Sequence, residues 1–550
     1  MKPSYDAVVI GSGFGGAIAA CRLAQAGQAV CLLERGPWRQ KTDFPRSPHE
    51  LATSALWDET SRQGFIEYRS FPYMDVVQGC GVGGGSLHYF NVCKQPPAAI
   101  FHNPRWPAGI NLQRLSLYYT LERQMLAARP LVPPAGRMLP ARTRAFLEAL
   151  TAFGARPELV DIAVNSQDSL LQQPFRIACT YCGNCLLGCN VHAKNTLDLN
   201  YIRVAQDNGA DVYALHRVEN IEPQGKGYKI YIRRAVPGRD TGCETVTVTA
   251  AKVIVAAGTL GSTELLLKCR DVHKSLPRLG PALGKGFSGN GDYLLAGTQY
   301  ANKAVDPSSG PSITAAASFA EDGQQICIED LGFPDPLLWY INGSVPTSER
   351  IGDSFAFAAS YLRSSLGLRY QSRMDLEIDR LFQGGITTGF LPYLGMGTDA
   401  GDGELHLGPD GHVAIHWRPD ASMPMFRLME RYLREISQAS GGTYIESFLW
   451  TWPFRKLLTA HPLGGCAMSS NAESGVVNEL GEVWRYPNLY VSDGSMVPTA
   501  LSVNPSATIS ALAERVAFHI IHGREMEERD MGALVSAAGA SHDYLLSDCR

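Results

Sequence analysis

Ala7-Val8-Val9-Ile10-Gly11-Ser12-Gly13-Phe14-Gly15-Gly16 is an apolar run that ends abruptly in a glycine-rich turn, and Ala17 to Ala26 behind it has helix-forming composition. Ala29 to Leu33 then reads as a second buried strand, closing on Glu34. Strand, turn, helix and strand in this order make a βαβ unit, and the G-x-G-x-x-G spacing lies where such a unit binds a dinucleotide. Gly11 permits the tight turn. Gly13 lets backbone N–H groups approach a pyrophosphate at the positive end of the helix, and Gly16 lets helix and strand pack closely. Ser12, Phe14 and Gly15 complete the loop, and Glu34, 23 positions after Gly11, is placed to accept ribose hydroxyls.

Working outward, three further segments return to small residues after apolar runs. They are Gly79-Cys80-Gly81-Val82-Gly83-Gly84-Gly85-Ser86, Val253-Ile254-Val255-Ala256-Ala257-Gly258-Thr259 and Leu489-Tyr490-Val491-Ser492-Asp493-Gly494-Ser495. Three returns to one ligand suit a long cofactor. The chain has 550 residues, 45% hydrophobic and 19% charged, which is the composition of a globular protein with room for a sizeable core. Its 49 basic and 53 acidic residues give −4, so no global field draws it to nucleic acid or an anionic membrane. Thirteen scattered cysteines, and an N-terminus with no room for a signal peptide before the first strand, lead us to expect a reducing, cytoplasmic setting. The longest uncharged stretches are broken by glycine, so no transmembrane segment is expected.

At these residues the sequence resembles the glucose–methanol–choline (GMC) family of flavin oxidoreductases, most closely its cholesterol-oxidase-like branch. The likeness extends through Gly81 to Asn91, Cys179 to Leu199, His461-Pro462-Leu463-Gly464-Gly465-Cys466, and Asp493 through Asn504-Pro505 to Ala513. It implies FAD as cofactor. Gly11, Gly13, Gly16 and Glu34 would serve the ADP half, and Val218 would offer backbone to adenine. Gly81, Gly84, Gly85, Ser86, Asn91, Ala257, Gly258, Asp493, Gly494 and Pro505 would surround the pyrophosphate and flavin. It also implies a fold: an α/β protein with a Rossmann-like, discontinuous FAD-binding domain and an α+β substrate-binding domain built on a large mixed sheet. We expect the first domain in 1–45, 75–105, 195–300 and 455–525, the second in 46–74, 106–194 and 301–454, and a C-terminal tail over 526–550, mobile or in an oligomer contact.

Oxidising an alcohol with a flavin requires a group that takes the hydroxyl proton while hydride leaves carbon, and histidine, titrating near neutrality, suits that task. His461 is the candidate, because Pro462-Leu463-Gly464-Gly465 is a turn that would fix the imidazole, and in the resembling family this histidine faces the flavin. Asn504 is its expected partner. Ile509, Leu512, Val516 and Ile520 follow at helical spacing, so Asn504 reads as an N-cap and Pro505 as the first helical residue. The expected substrate is an apolar, sterol-like alcohol, and O2 or an external acceptor would take the electrons. Secreted sterol oxidases carry a glutamate as isomerising base where Gly384-Gly385-Ile386-Thr387-Thr388-Gly389 has no acid, so isomerisation is not implied here.

His88 lies two residues past Ser86, at the spacing of family members whose flavin is covalently tied to histidine; a packed cluster with Tyr89 and Phe90 is the alternative. Cys179, Cys182, Cys185 and Cys189 have C-x2-C-x2-C-x3-C spacing, which suits an iron–sulfur cluster, zinc, or four metal-free thiols in a buried turn. In the second domain, Glu404 to Leu407 and Val413 to Trp417 read as a hairpin, Phe448, Trp450, Trp452 and Phe454 as a strand leading to His461 that packs on a sheet or lines a pocket, and Leu331 to Trp339 as a lid or entry loop or, equally, as core. Two other functions share these motifs: a non-redox lyase that keeps the flavin, and an electron-transfer subunit that uses the cysteine run.

Overall fold

The computed structural model describes residues 1–133, 136–168, 176–235, 242–337, 389–447 and 456–539, with 359 and 450 as single positions. Its central strand is Ser4–Ile10, whose apolar end pairs in parallel with Val30–Leu33 on one side and with Cys243–Val255 on the other. The alternation of apolar and small residues has no polar face because both sheet faces are covered, as parallel strands require. The helix Phe14–Gln25, buried from Gly15 through Ala24, covers one of those faces.

Asp211–Tyr213 extends the sheet beyond Val30–Leu33, and the antiparallel pair His216–Gln224 and Gly227–Ala235 extends it beyond the start of Cys243–Val255. Leu489–Val491 completes seven strands by lying parallel to Val253–Val255. The carboxyl ends of four parallel strands therefore open on one edge, where the chain continues as Gly11, Glu34, Ala256 and Ser492. This is the edge at which open α/β sheets bind ligands. Three helices behind it are locked by a buried ion pair: Arg22 Nε lies 2.8 Å from Glu514 Oε2, and Tyr201 donates to Glu514 Oε1 at 2.8 Å. Truncating one member would strand the other charge, at a cost of about 3–5 kcal/mol.

A second sheet of six strands runs in the order Thr443–Ile445, Tyr293–Gln299, Phe390–Gly397, Gln324–Asp330, Ala315–Glu321 and Glu158–Leu159, with antiparallel neighbours throughout. Tyr293–Gln299 pairs in this sheet although it precedes residue 300. The helices Met423–Ala439 and Ala141–Phe153 pack on it. The expected hairpin is present as Gly403–Leu407 against Val413–His416, with Glu404 opposite His416 and Lys285–Phe287 as a third strand. Ile66–Ser70, Met74–Gly79 and Leu457–Thr459 form another three-stranded sheet beneath the cavity described below.

The last helix begins one residue later than its sequence signals suggest. Ser506–His522 has Pro505 at the N-cap with no side-chain cap, and the Asn504 amide is drawn away to an acid on the second sheet. The expected mobile tail is also corrected in part. Glu528–Gly539 is helical, with Val535 buried, and Tyr118 receives the Met526 amide and donates to Glu525 at 2.8 Å. Met531, Leu534 and Val535 supply the apolar face that docks it. Of the expected aromatic strand, Trp450 packs its ring on Phe426 at 5.5 Å, while Phe448, Trp452 and Phe454 lie outside the described residues. No helix among the described residues is long and apolar enough to cross a membrane.

Candidate active site

A cavity of about 720 Å³ opens at the carboxyl edge of the seven-stranded sheet and continues to the second sheet. Gly11, with φ +95°, turns the chain out of the first strand, and a Cβ there would lie 2.3 Å from Ala256 O. At Gly15 a Cβ would lie 1.4 Å from Ser492 O, and at Gly16 1.9 Å from Gly11 O, so both glycines are demanded by packing. Gly13 differs: a Cβ there would meet nothing within 4 Å. The loop is thus tight against the protein on one side and open at the N-terminus of its helix, where backbone N–H groups have no side-chain cap.

Glu34 is buried at the rim. It accepts Ser12 N and Oγ at 3.1 and 2.7 Å on one oxygen and Gly36 N at 2.8 Å on the other. Ser12 in turn bonds Gly81 O and receives Gly83 N, which ties the second glycine segment to the first. Phe14, Gly84, Gly85, Val218, Ala257 and Gly258 line the same cavity. Gly81, Ser86, Asn91 and Gly16 stand behind the wall instead. Ser86 Oγ bonds Gly83 O at 2.7 Å and receives Leu197 N, holding the turn. Asn91 is buried with φ +70° and has no partner for either side-chain polar atom. Asp493 accepts Gly258 N at 2.9 Å and Ser495 N at 2.9 Å, and Gly494 and Pro505 continue the lining.

At the adenine-side end, sequence reasoning missed Glu264, which gathers Lys268, Arg217 and Arg69 and accepts Val413 N at 2.9 Å. Burial alone would raise its carboxyl, but the Lys268 hydrogen bond and the other donors hold it down at about 2. No motif announces this residue, because apart from Lys268, one helical turn away, its partners come from three distant segments.

At the opposite end, His461 and Asn504 both face the cavity. His461 Nδ1 lies 2.8 Å from Asp292 Oδ1, and its backbone N–H donates to Thr459 Oγ1 at 2.9 Å. Asp292 Oδ2 accepts Thr459 Oγ1 and Ala460 N at 2.9 and 3.0 Å, so the carboxylate is fixed before it fixes the ring. With Nδ1–H on Asp292, Nε2 is left as an acceptor toward the cavity. Asn504 Nδ2 donates to Glu329 Oε2 at 3.3 Å, and Asn504 Oδ1 and Glu329 Oε1 have no partner. Burial pushes the Glu329 carboxyl up to about 8, in spite of the Asn504 hydrogen bond and the Lys94 charge. Asp292 and Glu329 were both missed; the Asn290-Gly291-Asp292 turn offers no motif by itself, and Glu329, beside Asp330 at the end of the strand Gln324–Asp330, offers none either. The acid-free stretch at Gly384 lies, up to residue 388, outside the described residues, whereas Glu329 comes to the site from another strand.

His88 lines the cavity, and its buried Nε2 has no partner. Burial, with the Lys194 and His461 charges, pushes it down to about 3, so the imidazole is neutral. The chemistry of the whole set fits a flavin dinucleotide: a cradle that a Cβ at Gly13 would fill, a rim carboxylate, and unpartnered polar atoms on His88 and Asn504. Cys179, Cys182, Cys185 and Cys189 are corrected as a ligand set. Among the described residues no group of three or more His, Cys, Asp or Glu side chains is disposed to hold a metal ion. Burial raises the Cys179 thiol, and the run is held by its backbone: Lys194 Nζ donates to Cys185 O and Leu87 O at 2.8 and 3.0 Å. Leu186, between the cysteines, lines the cavity. The expected lid at Leu331 to Trp339 is a wall as far as it is described, with Phe333 buried and Leu337 beside it; Leu338 and Trp339 lie outside the described residues.

Comparison with known proteins shows what the chain is similar to. Family models described as GMC oxidoreductase match residues 6–283 and 438–513. A cholesterol oxidase of Acinetobacter baumannii is 29% identical, with 96% of each chain covered. A 2-methyl-1,2-propanediol dehydrogenase of Mycolicibacterium austroafricanum is 24% identical over 94% of this chain and 95% of that protein. Among solved structures, pyridoxine 4-oxidase from Mesorbium loti superposes with a TM-score of 0.59 at 16% identity, covering 94% of this chain and 99% of that one, which is a likeness of fold.

Proposed function

The chain belongs to the GMC oxidoreductase family, and from that premise we propose that it is an FAD-dependent alcohol oxidase or dehydrogenase acting on the CH–OH group of an apolar alcohol. The observation that carries this reading is His461, held by Asp292 and facing the cavity beside Asn504. FAD, when bound, supplies a hydride acceptor. Gly13, Gly258 and Glu34 would hold its dinucleotide half, and His88, Asp493 and Gly494 its flavin half. The domain division is part of this reading, with the boundary expected at residue 300 moved ahead of Tyr293.

His461 Nε2 takes the hydroxyl proton as the alcohol is oxidised. Asp292 keeps the ring in the tautomer that can accept it and stabilises the imidazolium that results, a role for which a fixed, buried carboxylate is suited. At neutral pH Glu329 is chiefly the neutral acid, and it can donate to Asn504 Oδ1. The Asn504 amide then turns Nδ2 toward the alcohol oxygen, which it positions as an acceptor while His461 removes the proton. Phe333, Leu294, Leu295 and Leu337 exclude water from this end. The lining is largely apolar, which supports an apolar alcohol as substrate.

Anaerobic mixing of the yellow protein with primary and secondary alcohols tests the reading. Loss of the visible flavin absorbance is expected, at a rate that rises with alcohol concentration. Absorbance left unchanged by a substrate that is consumed would show lyase chemistry instead.

A further inference from the structure

In a regular antiparallel strand, successive side chains point to opposite faces. Tyr293–Gln299 breaks that rule. Against Phe390–Gly397 its register runs Tyr293 opposite Gly395, Leu294 opposite Leu394, then Ala296 opposite Tyr393, so Leu295 is an extra residue with no partner across the ladder.

The faces switch at this bulge. Tyr293 packs its ring on Phe426 at 6.3 Å, and Thr298 Oγ1 meets Ser437 Oγ at 2.7 Å, both on the helix Met423–Ala439. An odd and an even position share one face only if a residue has been inserted between them. Tyr293 and Ala296 accordingly belong to the apolar cluster beneath that helix, whereas Leu294 and Leu295 pack with the cluster of the other sheet. Two consecutive leucines therefore face the same way, and both line the cavity.

This arrangement is costly. Leu295 has φ 69°, in the left-handed region where a bulky side chain is an outlier. Bulges next to active sites re-aim side chains, and backbone strain persists only where the surroundings over-determine it. Three residues upstream stands Asp292, which orients His461, so one short segment both fixes the base and presents the paired leucines.

We propose that Leu295, set beside Leu294 by the bulge, is a specificity-determining residue that limits the girth of the alcohol admitted next to His461. The inference rests on the function proposed above. It deepens that reading: the substrate class is a slender, unbranched apolar alcohol rather than a polycyclic one. Phe333 and Leu337 provide further apolar lining, and glycine at 295 would remove a lining side chain while accepting the φ of 69°.

The test compares the wild-type holoenzyme with Leu295→Gly and Leu295→Ala, using 1-decanol and detergent-dispersed cholesterol as probes. Anaerobic flavin reduction, kcat/KM and melting temperature are measured for each. In the wild type 1-decanol is expected to be the better substrate. Leu295→Gly should raise the cholesterol-to-decanol ratio of kcat/KM about 10-fold or more, the scale of discrimination by a few methylenes in an apolar pocket. Glycine adopts φ 69° freely, so Leu295→Gly should melt no lower than Leu295→Ala, which keeps the strain. A wild type that prefers cholesterol, or a ratio unchanged in Leu295→Gly while reduction by decanol persists, overturns the inference alone. No reduction of the wild-type flavin by either alcohol overturns the proposed function and this inference with it.

Discussion

Asp292 Oδ1 lies 2.8 Å from His461 Nδ1, while Asp292 Oδ2 is held by Thr459 Oγ1 and Ala460 N. The two residues are 169 positions apart and adjoin strands of different sheets, yet among the described residues the carboxylate accepts from the ring and from the strand end that leads to it. On the function proposed above, it keeps Nδ1 protonated and Nε2 free.

Asp292→Asn preserves the shape but removes the charge that stabilises the imidazolium. Proton transfer to a positioned base contributes about 10²- to 10⁴-fold, and most of that should be lost from kcat with KM little changed. Steady-state kinetics beside a flavin spectrum will check it. A variant that keeps full kcat would show that another group orients His461.

Glu329 gives a pH signature. Its folded pKa, about 8 by burial, exceeds the usual carboxylate value, so the folded state binds this proton more tightly than the unfolded chain. The stability it contributes is complete below the ordinary carboxylate pKa and is lost as pH rises through about 8. Ionised Glu329 would also claim the Asn504 Nδ2 donor, taking it from the alcohol oxygen. Melting temperature should therefore fall from the ordinary carboxylate range up to about pH 8 and level off above it, while activity declines through pH 8, in the wild type. In Glu329→Gln, whose amide can still donate to Asn504 Oδ1, both declines should flatten. Parallel pH profiles of kcat and melting temperature decide it.

Two glycines of one loop, Gly13 and Gly15, separate folding from cofactor binding. A Cβ at Gly15 would collide with Ser492 O, whereas at Gly13 it would enter open space. Gly15→Ala should therefore give little soluble protein. Gly13→Ala should fold, since φ −68° suits any residue there, yet lose most of its flavin because the methyl fills the pyrophosphate cradle. Yield, melting temperature and the flavin-to-protein absorbance ratio distinguish the two.

The dinucleotide end was legible in the sequence because its determinants are local: strand, turn, helix and Glu34 fall within one βαβ unit, and their spacing is their mechanism. His461 and Asn504 were legible through the turn and the helix beside them. Asp292, Glu329 and Glu264 were not, because each acts through partners that only the tertiary fold brings near. The helix starts after Pro505, with the Asn504 side chain turned to Glu329 rather than back onto the helix N–H groups. The cysteine run misled for a related reason: thiolate spacing is a necessary condition for a cluster, and the backbone conformation between the thiols decides whether they converge.

That conformation depends on Lys194, and it yields the last prediction. Lys194 is buried, burial lowers its ammonium to about 8, and it bridges Cys185 O and Leu87 O while lying 4.8 Å from the Tyr89 ring. Leu87 precedes His88, and Leu186 follows Cys185, so one side chain joins two parts of the cavity wall. Lys194→Met would leave Leu87 O without its donor, at about 1–3 kcal/mol, and Cys185 O with the Gly188 amide alone, and should lower the melting temperature and the flavin content together. Cys182→Ser, at an exposed thiol, should change neither. If the thiols held a metal instead, Cys182→Ser would be the damaging variant and the purified wild type would carry stoichiometric iron or zinc. Elemental analysis with the two melting curves therefore separates a wall held by a lysine from a cluster held by cysteines.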